Sequence, residues 1–176
     1  MEERLVADHI FDFFSQKGVN QAFCLTGGGA MFLNDALAKN QNIQTAFSHH
    51  EQACSMASVA YTKITNKPSI VVPTTGCGGT NCITGLLDAW QDNLPCIFIS
   101  GQVNKDQTTY NCNTKMRQFG VQEANIVEIV KSITKYSVMI TDPESIFFHL
   151  EKAFHLATTG RKGPVWLDIP LDVQNK

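Results

Sequence analysis

Ile43-Gln44-Thr45-Ala46-Phe47, running on into Ser48-His49-His50-Glu51-Gln52-Ala53-Cys54-Ser55-Met56-Ala57-Ser58-Val59-Ala60-Tyr61, is the stretch whose reading decides the fold. A short β-like run passes into a segment whose small residues Ala53, Ala57 and Ala60 recur at helical spacing. Ser48 and Glu51 form an S-x-x-E pattern, which predicts a capping box with Glu51 in the first helical turn. A strand that turns at once into a helix is half of a βα unit, and the question is whether the unit repeats.

It does, in both directions. Upstream, Leu5, Val6, His9, Ile10, Phe13 and Phe14 mark a first helix closed by Lys17-Gly18, followed by a strand at 21–26 and a helix at 30–39. Downstream of the helix at 51–65 come a strand at 69–74, a helix at 80–91 and a strand at 96–100. A short helix at 124–131 and a strand at 136–140 follow. Asp142-Pro143 then starts a long helix with an apolar stripe of Ile146, Phe147, Leu150, Phe154 and Leu156, and a buried strand at 165–169 closes on Pro170. This alternation predicts an α/β domain, a three-layer doubly wound sheet of six parallel strands, flavodoxin-like in class, forming one unit over 1–176.

Composition excludes several functions. The net charge is -2 with scattered basic residues, so there is no electrostatic footprint for nucleic acid. No apolar run approaches the roughly eighteen residues that cross a bilayer, and a soluble cytoplasmic protein is expected. Cys24, Cys54, Cys77, Cys82, Cys96 and Cys112 contain no C-x-x-C pair, which argues for packing thiols and against zinc or disulfides. With 43% hydrophobic and 17% charged residues the surface is somewhat apolar, as in a domain that meets a partner. The stretch 101–120 is polar and as long as structureless loops become, so it reads as functional or mobile, with Tyr110, Met116 and Phe119 as the candidate anchors of a packed alternative.

Two Gly-rich segments sit at strand-to-helix turns, Thr26-Gly27-Gly28-Gly29-Ala30 and Thr75-Gly76-Cys77-Gly78-Gly79-Thr80-Asn81. In an open parallel sheet such turns share one edge with Glu51. Neither has the spacing of a dinucleotide fingerprint or a P-loop. Cys77 has no base in view, and His49 with His50 has no third ligand, so no metal site is predicted.

Taken together, Gly28-Gly29-Ala30, His50-Glu51-Gln52-Ala53, Thr75-Gly76-x-Gly78-x-Thr80-Asn81, Asp88-Ala89-x3-Asn93-x-Pro95, Ser100-Gly101-Gln102-Val103, Gln122-Glu123 and Gly163-Pro164-Val165-x3-Ile169-Pro170 resemble the N-terminal pyrimidine-binding domain of thiamine-diphosphate enzymes. The acetolactate synthases are the most similar branch, and the resemblance covers 5–173. It implies that Glu51 hydrogen-bonds the ring nitrogen of the cofactor's aminopyrimidine; a carboxyl group in an apolar interface can share its proton there. It implies a catalytic role for Gln122, facing the reacting end of the cofactor, and cofactor contacts at Thr26, Gly27, Gly28, Thr75, Gly76, Cys77 and Asn81. The family holds the diphosphate and Mg2+ in a separate domain with a Gly-Asp-Gly motif, which this sequence does not contain. A diphosphate-binding domain of another subunit, a homodimer or tetramer, and a 2-oxo acid substrate such as pyruvate are therefore implied, with FAD in a middle domain left open.

Departures from the family pattern stand at Thr26 and Gly27, at Cys77 where Pro is usual, and at Val121 where Phe is usual. Arg117-Gln118-Phe119-Gly120-x-Gln122-Glu123 is more similar to the branch of polysaccharide and deoxysugar biosynthesis, whose acceptor is a keto-sugar nucleotide. A non-catalytic nucleotide- or partner-binding module is the alternative outside enzymology. Residues 172–176 read as the start of a linker to a middle domain, which makes the chain the N-terminal part of a longer enzyme.

Overall fold

The computed structural model describes residues 4–176, and Met1 to Glu3 lie outside the described residues. Strands β1 (Gln21–Cys24), β2 (Gln44–Phe47), β3 (Ser69–Val72), β4 (Cys96–Gln102), β5 (Tyr136–Met139) and β6 (Val165–Pro170) form one sheet in the order β2-β1-β3-β4-β6-β5. Every pairing is parallel. The helices are α1 (Val6–Gln16), α2 (Met31–Lys39), α3 (Glu51–Thr65), α4 (Cys77–Asn81), α5 (Ile83–Gln91), α6 (Ile126–Val130), α7 (Ile146–Thr158) and α8 (Leu171–Gln174). This is the doubly wound architecture that the alternating pattern predicts.

Two apolar clusters divide the strands by side-chain parity. Ile70, Val72, Ile97, Ile99, Val165, Leu167 and Ile169 pack with α1, α2 and α7 on one face. Val71, Cys96, Phe98 and Trp166 pack with α3, α5 and α6 on the other. Neighbouring side chains of a strand point to opposite faces, so a strand buried on both reads as a continuous apolar run. Phe98 and Trp166, paired across β4 and β6, stack with centroids 5.0 Å apart.

Four local expectations are corrected. Ser48 does not cap α3: its N–H donates to the Cys24 carbonyl, which prolongs the β2 pairing, so His50 becomes the N-cap and Glu51 the first helical residue. The helix expected at 80–91 begins earlier as α4 and is interrupted at Cys82, whose N–H bonds the carbonyl three residues back. Strand β4 continues through Gly101 and Gln102, because β6 offers partners as far as Pro170. Residues 172–176 are not linker in conformation: α8 forms, and Gln174 is fully buried, donating to the carbonyls of Gly29 (2.9 Å) and Ile169 (2.7 Å).

The polar stretch after β4 is likewise organised rather than structureless. Two 3-10 turns, Lys105–Gln107 and Thr109–Asn111, carry it away from the sheet. Tyr110, Met116 and Phe119 are exposed and do not anchor it. The anchor is the buried Glu123, whose Oε1 accepts from the Thr109 N–H (3.1 Å) and hydroxyl (2.7 Å) and whose Oε2 accepts from the Phe119 N–H (3.2 Å).

Candidate functional site

The chain leaves β1 for β2 on one side and returns to β3 on the other, so the carboxyl ends of β1 and β3 bound the switch-point crevice where ligands of open α/β sheets lie. Both Gly-rich turns meet there, with the Gly29 N–H donating to Thr74 Oγ1 (3.1 Å). A cleft of 310 Å³ opens at this edge, lined among others by Gly28, Gly29, Thr75, Val103, Gln122 and Leu171.

Glu51 stands at the same edge, only 7% exposed although it carries a carboxyl group. Its Oε2 accepts from Asn81 Nδ2 (2.9 Å), which fixes the carboxyl from the far end of α4. Its Oε1 has no hydrogen-bond partner among the described residues. That oxygen faces Gly78, where a Cβ would sit 3.1 Å from it. A buried carboxyl held by one oxygen and unpartnered at the other can accept a hydrogen bond from a ligand's donor.

Across the Gly-rich turn lies Gln122. It holds φ +59, a left-handed conformation rare outside glycine, and its carbonyl oxygen lies where a Cβ on Gly76 would come within 1.7 Å. Gly76, itself at φ +63, is what lets the two backbones touch. Glu123, next in sequence, is the buried pin described above, so the left-handed residue sits between an anchored neighbour and the cleft.

The remaining candidates are dispersed around this edge. Gly27 packs against Thr74, Gly28 borders open space, and Thr26 and Cys77 are exposed with no side-chain hydrogen bond among the described residues. Thr75 is buried and donates to Gln102 Oε1 (2.6 Å). His50 Nδ1 accepts from the Gln52 N–H (3.1 Å) and so serves the helix, and among the described residues no three His, Cys, Asp or Glu side chains converge on one point.

Sequence reasoning missed Asp168. It is fully buried in β6, accepts from Ser100 Oγ (2.6 Å) and Gln102 Nε2 (3.0 Å), and burial pushes its pKa up to about 7 against the pull of those two donors, with Glu123 adding to the rise. A charged residue inside the apolar run Val165-Trp166-Leu167-Asp168-Ile169 was the available signal.

A larger cleft of 450 Å³, bordered by Trp90, Asn93, Lys135, Arg161 and Lys162, opens at the opposite edge of the sheet. Helix C-termini collect there. Lys135 Nζ donates to the Thr159 carbonyl at the end of α7 (3.0 Å), as cations do at carbonyl-rich helix ends. Its charge is explained by the fold, and size alone does not make it the functional site.

Residues 4–129 match the family described as "Thiamine pyrophosphate enzyme, N-terminal TPP binding domain". Over 99% of its length the chain is 36% identical to an acetolactate synthase described as chloroplastic from Arabidopsis thaliana, and 34% identical to acetolactate synthase 2, chloroplastic, of Nicotiana tabacum. Over 92% it is 35% identical to the mitochondrial acetolactate synthase of Schizosaccharomyces pombe. The chain spans about a quarter of each relative's length: 25%, 25% and 23%. With the family match covering most of the chain, it belongs to the thiamine pyrophosphate enzymes, as an N-terminal TPP-binding domain.

Proposed function

We propose that this chain is the pyrimidine-binding half of a thiamine-diphosphate-dependent carboligase resembling acetolactate synthase, which decarboxylates pyruvate and transfers the two-carbon unit to a second 2-oxo acid. The observation that carries the reading is Glu51: buried at the sheet edge, fixed through Oε2 by Asn81, and open at Oε1 toward a glycine. Those features fit an aminopyrimidine, whose ring nitrogen needs a carboxyl partner in a dry site.

Bound thiamine diphosphate supplies the carbanion chemistry, and the protein supplies orientation and electrostatics. Glu51 would hold a proton between Oε1 and the ring nitrogen. Asn81 keeps the carboxyl from rotating, and bare glycine at position 78 lets the start of α4 pack closely against Thr74 and the Glu51 carboxyl. Gln122, lining the 310 Å³ cleft, would face the substrate side, while Thr75 and Gly28 in the same lining, with Thr26, Gly27, Gly76, Cys77 and Asn81, would contact the cofactor. Mg2+ and the diphosphate would be held by another domain, as part of a longer enzyme in which the chain is a single domain and homodimers or tetramers complete the site. The apolar residues Met31 and Val121, 49% and 81% exposed beside the cleft, support such a covering partner, and the proposal leaves room for FAD in a middle domain.

Six unpaired thiols, four of them buried, suit a reducing compartment such as the cytoplasm. No helix among the described residues is long and apolar enough to cross a membrane. A second reading, with a keto-sugar nucleotide as acceptor, is supported by the resemblance of Arg117-Gln118-Phe119-Gly120-x-Gln122-Glu123, whose Gln122 lines the cleft, to the branch of polysaccharide and deoxysugar biosynthesis.

Glu51→Gln in the full-length protein tests the reading. The amide keeps the side-chain length but cannot share the proton, so pyruvate turnover should fall about 10²–10⁴-fold with thermal unfolding unchanged. Near-native turnover overturns it.

A further inference from the structure

Gln102 ends β4 with a side chain 1% exposed that takes part in four hydrogen bonds. Its Oε1 accepts from the Thr75 hydroxyl (2.6 Å) and the Val103 N–H (3.0 Å). Its Nε2 donates to the Ala124 carbonyl (3.0 Å) and to Asp168 Oδ2 (3.0 Å). A backbone N–H can only donate and a carbonyl can only accept, so the amide has a single orientation. Asp168 Oδ1 accepts from Ser100 Oγ (2.6 Å), which in turn accepts from Trp166 Nε1 (2.8 Å). The network therefore runs from the stacked aromatic core to the crevice with each of its polar side-chain groups paired.

Its two outer ends reach opposite walls of the cleft. Thr75 belongs to the Gly-rich turn after β3, and Ala124 lies two residues beyond Gln122. Those walls also meet directly, through Gly76 and the Gln122 carbonyl. We propose that Gln102 is a positioning residue: its amide, oriented by Asp168, sets the separation between the Gly-rich turn and the Gln122 segment and so holds Gln122 at the cleft in its left-handed conformation. The proposal deepens the cofactor-site reading above and rests on it only in taking the cleft as the cofactor's.

The test compares Gln102→Glu, Gln102→Glu with Asp168→Asn, and Thr75→Val in the full-length protein, by amide hydrogen exchange. Gln102→Glu sets two carboxyls against each other, and any proton they share can serve Asp168 or Ala124 but not both. Exchange at 76–78 and 122–126 should rise about 10–100-fold, the factor that a lost hydrogen bond to a charged group supplies, while 97–99 in β4 keep their protection. In the double variant the amide introduced at position 168 donates to the carboxylate introduced at position 102, which restores the link toward Thr75 but leaves the Ala124 carbonyl without its donor. Protection should return at 76–78 and stay low at 122–126. Thr75→Val removes only the outer hydroxyl and should loosen 76–78 alone, so it decides the matter if the Gln102 variant fails to fold.

Unchanged exchange at both walls overturns the proposal, as does equal loss in 97–99, which would mean general destabilisation. Calorimetric titration of the native protein with thiamine diphosphate and Mg2+ separates the two readings. If nothing binds, the cofactor assignment fails while the exchange pattern still decides what Gln102 does.

Discussion

Gly76 and Gln122 touch backbone to backbone across the mouth of the crevice, and both hold positive φ, +63 and +59. Only one of them is glycine. The substitution at each position therefore has opposite consequences for stability. Gly76→Ala would drive a Cβ into the Gln122 carbonyl and lock a residue in a region closed to L side chains, at a cost of about 3 kcal/mol or more. Urea unfolding of the variant measures it; a loss under about 1 kcal/mol would mean the two segments part easily.

Gln122→Gly removes the left-handed penalty of an exposed residue and should stabilise the fold by about 1 kcal/mol. Turnover should fall at the same time, because the side chain lining the cleft is gone. Melting temperature and steady-state kinetics on one preparation read both. A rise in stability with full activity would remove Gln122 from the site.

Asn81→Asp replaces the donor to Glu51 Oε2 by a second carboxylate at 2.9 Å. Two such groups share one proton and raise their joint affinity for it. The variant should approach native stability at low pH and lose it as the pH rises through the raised value of the pair. Unfolding free energies at several pH values, subtracted from those of the native chain, should therefore diverge upward with pH; parallel curves would mean the carboxyls do not interact.

Asp168 gives a pH dependence of its own. Burial raises its folded-state pKa from an ordinary 3.8 to about 7. Its contribution to stability is fully present below 3.8 and is lost as the pH rises through about 7, because the folded state binds the proton more tightly than the unfolded one. Asp168→Asn cannot titrate. The stability difference between native and variant should fall between those limits and level off above them, and a flat difference would mean that folding leaves the Asp168 proton affinity unchanged.

Glu123→Gln leaves one acceptor oxygen for three donors and turns an amide N–H toward one of them. A cost of about 1–3 kcal/mol is expected, with faster exchange at 105–119. Unaltered exchange there would show that the loop is held by something other than Glu123.

The parts of this fold that were legible in sequence are those written in one segment at a time. Apolar runs such as Ile70-Val71-Val72 and the small-residue spacing after Glu51 are local signals, and they placed Glu51 at a strand-to-helix turn. What escaped depends on neighbours in space. Ser48 looks like a cap until its N–H is seen to bond Cys24 on the adjacent strand. Asn81 reaches Glu51 across thirty positions, and Ser100 lies opposite Asp168 only because β6 inserts between β4 and β5. A polar side chain in a buried strand announces that a partner exists without saying where.

Gln174 gives the C-terminal helix a mechanical meaning. Its amide grips Gly29 in the first Gly-rich turn and Ile169 in β6, and its carbonyl receives the Leu33 N–H at 3.4 Å. Tension applied to the chain beyond α8 would load these three bonds in parallel, one of them anchored in the wall of the cleft. The crevice is thus strung to whatever pulls on that end, and a tug there is felt at Gly29 in the wall of the cleft as well as at Leu33 and Ile169 in the core beneath it.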